Sequence, residues 1–264
     1  MKKVLLGVIG LIALGTAVPA LAADLPARPY KAPPPMPAPY YDWSGFYIGL
    51  NGGGGSARKC WDLVNDLGVI FSPTLAQGCH NATGGTVGGQ IGYRWQAASW
   101  VFGLEAQGNW ADFKGNNVNL LAGGLFGTGL TDESRVRAFG LFTGQVGYAW
   151  NNVLWYVKGG AAVTDDRYRT FFAPNSGVTV DIATETRWGG VVGTGVEIGF
   201  APNWSVAFEY DHLFMGNRDV NATGVGNFGL APGAFSATDH IRQDVDIGTV
   251  RVNYRWGGPV VAKY

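Results

Sequence analysis

Apolar and polar side chains alternate with a period of two over most of this chain, a pattern typical of β-strands. In residues 85–95, Val, Ile, Tyr93 and Trp95 share one face, and Gly, Thr, Gln and Arg share the other. Residues 100–110 repeat the pattern, starting from Trp100. Each of these segments therefore has one apolar and one polar face.

The same alternation recurs until eight strands are counted. Besides the two segments above, it occurs in residues 46–50, 142–150, 155–164, 187–200, 204–211 and 250–256. We therefore predict an all-β fold in which eight antiparallel strands run up and down around a closed barrel, over residues 43–256.

The size of the apolar side chains indicates which face of the barrel points inward. A soluble eight-stranded barrel would carry its apolar face inside, but Trp, Phe, Tyr and Ile on nearly every strand would overfill so narrow an interior. An apolar surface around the whole barrel exceeds what a soluble monomer exposes. A closed barrel also satisfies every backbone polar group within a bilayer. The pattern thus predicts a transmembrane barrel with its apolar face toward lipid.

Three short connections, at residues 96–99, 151–154 and 201–203, are flanked on both sides by outward-facing aromatic residues. We predict that these aromatics and one at the end of the last strand form a girdle at the membrane interface. Its members are Trp95, Trp100, Trp150, Trp155, Phe200, Trp204 and Trp256. Ordinary aromatic pairing within a sheet is the alternative. Short turns belong on the periplasmic side of such barrels, so the girdle also predicts the orientation.

The remaining connections are long and are expected to be surface loops, which carry function on scaffolds of this kind. They cover residues 54–83, 114–133, 165–184 and 215–239. Cys60 and Cys79 lie in the first of them, and an exported chain favours a disulfide between them. A metal site is the alternative, but only His80 lies nearby as a further ligand.

The chain begins with two lysines, an apolar run and a small-residue pattern at Ala20–Ala22. This predicts a secretory signal peptide over residues 1–22, since the apolar run is shorter than the ~20 residues of a membrane anchor. Residues 23–42 are rich in proline and are expected to form an extended tether. Residues 257–264 form a C-terminal tail.

Charge is sparse and balanced in this sequence. Charged residues make up 14% of the chain, and glycine accounts for 42 of 264 residues. Without Lys2 and Lys3, 17 basic and 19 acidic residues give a formal charge of 17 − 19 = −2. This balance argues against a nucleic acid partner.

The alternation places several charged residues on the inward face of neighbouring strands. They are Arg94, Glu105, Lys158, Arg187, Glu197, Glu209, Arg251 and Arg255. The expected pairs are Arg94 with Glu105, Lys158 with Glu197, and Glu209 with Arg251. We interpret the set as an ion-pair plug, because buried charges must be paired and eight strands leave little bore. A lining for a narrow ion pathway is the alternative.

The sequence offers no combination of residues suited to catalysis. A nucleophile needs a base within reach, whereas His80, His212 and His240 all fall in or near expected loops. We therefore predict that the protein is not an enzyme, and we expect neither a cofactor nor a catalytic metal.

The segments WSGFYIGLNGGGG (residues 43–55) and VRVNYRWGGPVVAKY (residues 250–264) resemble the alphaproteobacterial outer-membrane β-barrel family of major surface immunogens, related in fold to OmpA-type barrels. The resemblance covers the signal peptide, the proline-rich start and all eight strands. It implies a role in outer-membrane integrity, surface antigenicity and, in some relatives, weak porin activity or haemin binding. We also expect membrane lipid, lipopolysaccharide and the barrel-insertion machinery as partners. The last strand departs from the family pattern, since eight residues follow Trp256. Either Trp256 or the final residue, Tyr264, is then the aromatic that the insertion machinery reads.

Three functions are compatible with these observations. The first is a structural, surface-exposed barrel whose extracellular loops contact an unidentified ligand. The second is a small porin, which predicts measurable conductance. The third, implied by some relatives in the family, is a haemin-binding surface protein.

Overall fold

The computed structural model describes residues 41–121, 129–172 and 177–256. The expected signal peptide, all of the expected tether before residue 41 and the expected tail lie outside these residues. The described residues contain no helix that could span a membrane. Their strands are β1 (Gly45–Asp66), β2 (Val69–Ala97), β3 (Trp100–Val118), β4 (Leu130–Trp150), β5 (Val153–Phe172), β6 (Val178–Ala201), β7 (Trp204–Gly224) and β8 (Phe235–Trp256).

The strands form a closed antiparallel barrel in which each pairs with the next along the chain. β8 returns to β1, and the register places Trp256 opposite Phe46 at the closing seam. The predicted eight-stranded up-and-down fold is confirmed. Closure pairs each strand with both neighbours through the apolar band, as a membrane barrel requires. Beyond the band, the register contains no pairs between β6 and β7 for the residues between Ile182 and Gly190.

One end of the barrel, here called the short-turn end, is closed by the connections at residues 98–99, 151–152 and 202–203. Ala98 and Asn151 adopt positive φ angles of 54° there, as tight hairpin turns require. The seven aromatics of the predicted girdle all point outward and are between 44% and 62% exposed. Further along the barrel the outer surface remains apolar as far as Trp110 and Trp188, which are 76% and 58% exposed.

The strands continue well beyond this apolar band toward the opposite end, here called the long-strand end. They contain 19 to 29 residues, whereas a tilted strand crosses a bilayer in about 9–11 residues. The expectation of four long surface loops is therefore wrong for most of their length. Residues 54–66 extend β1 and residues 69–83 extend β2, and only Leu67 and Gly68 turn between them.

The apolar face changes sides where the strands leave the apolar band. On β8, Val250 and Val252 are exposed on the outer surface, but Val245 and Ile247 are buried inside the barrel. Asp246, between these two, faces outward. On β8 the outer surface of the extended part is therefore polar, and the apolar residues lie in the interior. Some apolar residues of other strands stay exposed beyond the band, such as Val118 and Phe214.

The described interior contains three apolar layers. Nearest the short turns, the first layer consists of Trp43, Val101, Ala149, Leu154 and Tyr156. The middle layer consists of Ala57, Ala82, Phe113, Val136, Phe139, Leu141, Ala162, Val191, Leu213, Met215, Val245 and Ile247. Nearest the long-strand end, the third layer consists of Trp61, Tyr168, Ala183, Val220, Ala222 and Ile241. Polar and charged groups fill the space between these layers.

Candidate functional site

All eight charged residues predicted to face the interior are buried there, with at most 8% of each exposed. They do not form one cluster. Six of them lie between the first and middle apolar layers. Arg187 lies higher, near the third layer, and Arg255 lies at the short-turn end.

Two cations and three carboxylates form the centre of the lower polar layer. Arg251 forms ion pairs with Glu105, at 2.5 Å, and with Glu209. Nζ of Lys158 lies 2.7 Å from Glu209, 3.2 Å from Asp211 and 3.6 Å from Glu105. Each of these side chains is at most 1% exposed. The attraction of each cation is therefore divided among at least two carboxylates.

Two tyrosines donate further hydrogen bonds to this centre, although Oε1 of Glu105 and Nε of Arg251 have no hydrogen-bond partner among the described residues. The hydroxyl of Tyr47 donates to Glu105 and that of Tyr156 donates to Glu209, both at 2.6 Å. Gln145 donates in turn to the Tyr47 hydroxyl at 2.9 Å. These donors lower the cost of burying the two carboxylates.

Arg94 and Glu197 form a second ion pair in the same layer. Their closest atoms are 2.8 Å apart, and the guanidinium lies 4.5 Å from the ring centre of Tyr47. Glu197 also accepts hydrogen bonds from Ser205 and, at 3.0 Å, from Asn253. This pair is held by groups from several strands.

Two of the three predicted ion pairs are wrong. Arg94 pairs with Glu197 rather than with Glu105. Lys158 pairs mainly with Glu209 rather than with Glu197. The third predicted pair, Glu209 with Arg251, is present. The predictions failed because these side chains are long and the barrel is narrow. Such a side chain can contact a partner across the bore as readily as a partner on the neighbouring strand.

A separate polar layer lies above the middle apolar layer. Arg187 donates to the Tyr168 hydroxyl and the Gln243 side chain, both at 3.2 Å. Lys59 and Asp166 form a fully buried ion pair with a 2.6 Å contact. The sequence pattern did not reveal these last two residues because it assigned both to loops.

The short-turn end is closed by residues at and before the start of β1. Trp43 is 1% exposed, and its indole nitrogen donates to the carbonyl of Asn151 at 3.0 Å. Tyr41, which the sequence pattern placed in the tether, packs on Trp43 with ring centres 4.7 Å apart. Arg255 lies 4.7 Å from the ring centre of Tyr41 and donates to the Pro202 carbonyl at 3.1 Å.

Cys60 and Cys79 are joined by a disulfide in the structure. They are directly opposite each other in the register of β1 and β2. The bond therefore links two paired strands in the extended part of the barrel. It does not close a surface loop, contrary to the expectation from sequence.

The three histidines lie on strands and not in loops. His80 is on β2, facing the interior, while His212 on β7 and His240 on β8 face outward. Nδ1 of each lies 2.6–2.7 Å from a side-chain oxygen, on Asn117, Asp246 and Asp219 respectively. Within the described ranges, no three His, Cys, Asp or Glu residues are arranged to hold a metal ion.

The fold, the apolar outer band and the buried charges define a transmembrane β-barrel. The chain belongs to a family of outer-membrane proteins, because the family model described as outer membrane protein beta-barrel domain matches residues 10–255. The protein is therefore an outer-membrane protein, as the sequence predicts.

Similarity to individual proteins agrees with this assignment. The chain is 29% identical over 229 residues to the 31 kDa outer-membrane immunogenic protein of Brucella melitensis, covering 83% of this chain and 90% of the relative. The same identity and coverage hold for the protein of that name from Brucella suis.

Among solved structures, the outer membrane protease OmpT of Escherichia coli matches with a TM-score of 0.49 and 7% identity, covering 84% of this chain and 99% of that one. The outer membrane protein OprG of Pseudomonas aeruginosa matches with a TM-score of 0.46 and 13% identity, covering 81% and 97%.

Proposed function

We propose that this protein is a structural and surface-exposed barrel with a sealed bore, and that its long-strand end faces the cell exterior and makes contacts there. The observation that carries the proposal is the middle apolar layer. All eight strands contribute to it. It therefore extends across the whole cross-section of the barrel.

The residues that form the middle layer are all apolar, so the layer should oppose the passage of ions. Phe113, Leu141 and Leu213 are fully buried, and Ile247 is 1% exposed. An ion crossing this level would lose its hydration shell without a replacement, at a cost of roughly several kcal/mol or more. The two small cavities next to the lower and upper layers have volumes of about 10 Å³ each, room for about one water molecule.

The charged layer beneath supports the same proposal. Lys158, Arg251 and Arg94 are each engaged by at least one carboxylate at 2.8 Å or less. Paired charges of this kind fix neighbouring strands relative to one another and are poor sites for a passing ion. If the protein were a porin, these ion pairs would have to separate to let an ion pass.

Conductance in planar lipid bilayers tests the sealed bore. We expect the wild-type protein, shown to be folded by heat-modifiable gel mobility, to give no stable channel steps. Phe113→Ala and the double variant Phe113→Ala/Leu213→Ala thin the middle layer and should raise conductance. Phe142→Ala, which removes a Phe that is 53% exposed to lipid, is the matched control. Stable steps from the wild type would overturn the proposal.

Lipopolysaccharide is a partner that the outer surface favours. Just beyond the apolar band, Lys114, Arg135 and Arg167 form one row across β3, β4 and β5, and all three face outward. Arg137 and Arg169 lie on the same face.

The charge of this face is positive. Three outward carboxylates accompany the five cations, namely Asp112, Glu133 and Asp165. The formal charge of the face is therefore 5 − 3 = +2. Cations at this level suit the phosphate groups of the outer leaflet.

The barrel-assembly machinery is the second expected partner. β8 ends at Trp256, which is 52% exposed and pairs with Phe46 at the seam. Its place at the end of the last strand supports Trp256 as the aromatic that the machinery reads. Tyr264 lies outside the described residues. Outer-membrane yield of Trp256→Ala, compared with Tyr264→Ala, tests this assignment.

The haemin alternative gains no support from the described histidines. His80 is buried on the inner face beside Trp61, and the cavity that Trp61 lines has a volume of about 10 Å³. His212 and His240 each bind an aspartate on the outer surface.

A further inference from the structure

The long-strand end of the barrel contains a cavity of about 480 Å³. This volume lies within the ~300–1,000 Å³ typical of small-molecule sites. Its walls are largely apolar and include Leu63, Leu130, Phe172, Val180 and Leu230. The loop between β7 and β8 covers one side, where Phe228 contacts Phe172 with ring centres 4.9 Å apart.

Carboxylates from several strands meet at this cavity. Asp66, Asp181 and Asp239 line it, from β1, β6 and β8. Asp132 of β4 adjoins it, since it accepts a 2.9 Å hydrogen bond from Asn119, which also lines the cavity. None of these four takes part in an ion pair with any other described residue.

Two buried acceptors on the cavity wall lack a donor. Oδ1 of Asp239 and Oε1 of Gln77 have no hydrogen-bond partner among the described residues. The Gln77 side chain also donates to the Asp239 carboxylate, but that contact leaves these two oxygens unpaired. The two residues are only 5% and 7% exposed. A buried acceptor without a donor costs roughly 1–3 kcal/mol. A ligand that brings N–H donors would remove this cost.

The uncompensated carboxylates oppose one another's ionisation. Burial raises the pKa of Asp132 to about 7, and the carboxylate of Asp181 contributes to this rise. Burial, followed by Asp132 and Asp181, raises the pKa of Asp239 well above its ordinary value. Burial also raises the pKa of Asp181 and of Asp66. A cation in the cavity would reverse these shifts.

We propose that this cavity binds an organic cation with an apolar body, of the alkylammonium or arylammonium class. The ammonium group would face Asp181 and Asp239 and donate to the unpaired oxygens, while the apolar body would contact the leucine and phenylalanine side chains. A bare metal ion suits the site less, because apolar walls offer it no ligands. This inference rests on the proposed function, for which it names a ligand class.

Phenethylamine is a suitable probe, with 2-phenylethanol as its neutral analogue and 3-phenylpropionate as its anionic one. Isothermal titration calorimetry on the full barrel in lipid nanodiscs should show phenethylamine binding at least about tenfold more tightly than either analogue, as expected for a charge-assisted hydrogen bond. Asp239→Asn should remove that preference. Asp219→Asn is the matched control, because Asp219 is 62% exposed on the outer surface.

Proton release provides a second measurement. Binding at pH 7 should displace protons from Asp132 and its neighbours, so the observed enthalpy should depend on the ionisation enthalpy of the buffer. In Asp132→Asn this dependence should decrease. The groups that face Asp132 and Asp239 are Asp66 on β1, Gln77 on β2, Asn119 after β3, Thr170 on β5 and Asp181 on β6.

Several results would overturn the inference. Equal binding of phenethylamine and 2-phenylethanol would indicate an apolar pocket without recognition of charge. Binding of Ca²⁺ that Asp239→Asn abolishes, without binding of the amine, would indicate a metal site. No binding of phenethylamine would exclude the proposed class. Conductance does not depend on this cavity, so failure here is distinguishable from failure of the sealed bore.

Discussion

Lys59 and Asp166 form an ion pair straight across the bore, between two strands that lie opposite each other in the ring. Their atoms approach to 2.6 Å, and both side chains are completely buried. β1 and β5 are four strands apart in either direction around the barrel. The pair therefore ties together two walls that share no backbone hydrogen bond.

Removing one partner of this pair should be costly. Lys59→Met leaves the buried Asp166 without its direct ion-pair partner and should lower the free energy of unfolding by about 3–5 kcal/mol. The double variant Lys59→Met/Asp166→Leu should recover most of that loss. Arg137→Met, which breaks an exposed pair with Asp165, should cost about 1 kcal/mol or less. Urea unfolding in lipid vesicles measures all three, and equal losses in the two single variants would contradict the assignment.

The position of the membrane can be tested on a single strand. Phe208 and Trp204 both face outward on β7, with Phe208 four residues from the girdle. Phe208→Arg should cost about 2–4 kcal/mol, and Trp204→Arg about 1 kcal/mol or less, because the penalty for a charge falls toward the interface. Urea unfolding in vesicles measures both. The opposite order would place the girdle away from the interface.

Stability should depend on pH through Asp132. Its pKa is about 7 in the folded protein, above the unfolded value of about 3.9. The folded state then binds more protons, so stability falls as pH rises from about 4 to 7, by up to about 1.4 kcal/mol per unit. Asp132→Asn should reduce this fall, whereas the variant Asp244→Asn, at an exposed position on the outer surface, should not. Urea unfolding at pH 5 and pH 8 provides the comparison.

Lipopolysaccharide binding should depend on the cations of β3 to β5. Arg135→Gln/Arg167→Gln should weaken binding and reduce its sensitivity to salt, since exposed charges are screened. Arg58→Gln/Arg242→Gln removes two outward cations from β1 and β8, where Asp62, Asp244 and Asp246 make the local charge 2 − 3 = −1. This control should change binding little. Equal effects of both variants would indicate that binding depends on the net charge of the protein and not on this group of cations.

The part of the barrel within the apolar band was predictable because lipid imposes one rule on all eight strands. Large apolar side chains face out and small or polar ones face in, so parity alone placed Trp95 outside and Arg94 inside. The alternation along a strand predicts whether a side chain faces inward or outward. It does not predict which residue a long side chain contacts. The choice of Glu197 as the partner of Arg94 therefore required the structure.

The extended part was misread because the rule inverts outside the membrane. Beyond Trp110, β3 turns Phe113 inward and Asp112 and Lys114 outward, and register shifts interrupt the alternation. A search for apolar residues on one unchanging face of each strand therefore ends at the edge of the apolar band. It assigns the residues beyond that edge to loops. For this reason the sequence pattern did not identify Lys59 and Asp166 as buried residues. A search that allows the apolar residues of one strand to face outward in the membrane and inward beyond it would have placed Lys59 and Asp166 on strands.

The continuation of the strands past the apolar band also determines what an antibody would encounter. In the proposed orientation, the part of the barrel outside the membrane is a closed cylinder of strands. Its outward side chains, such as Arg58, Arg167 and Asp219, come from strands far apart in sequence. Residues that adjoin on this cylinder are neighbours only while the barrel is closed. Antibodies raised against the folded protein should thus bind discontinuous epitopes, and linear peptides copied from the same segments should compete poorly for them.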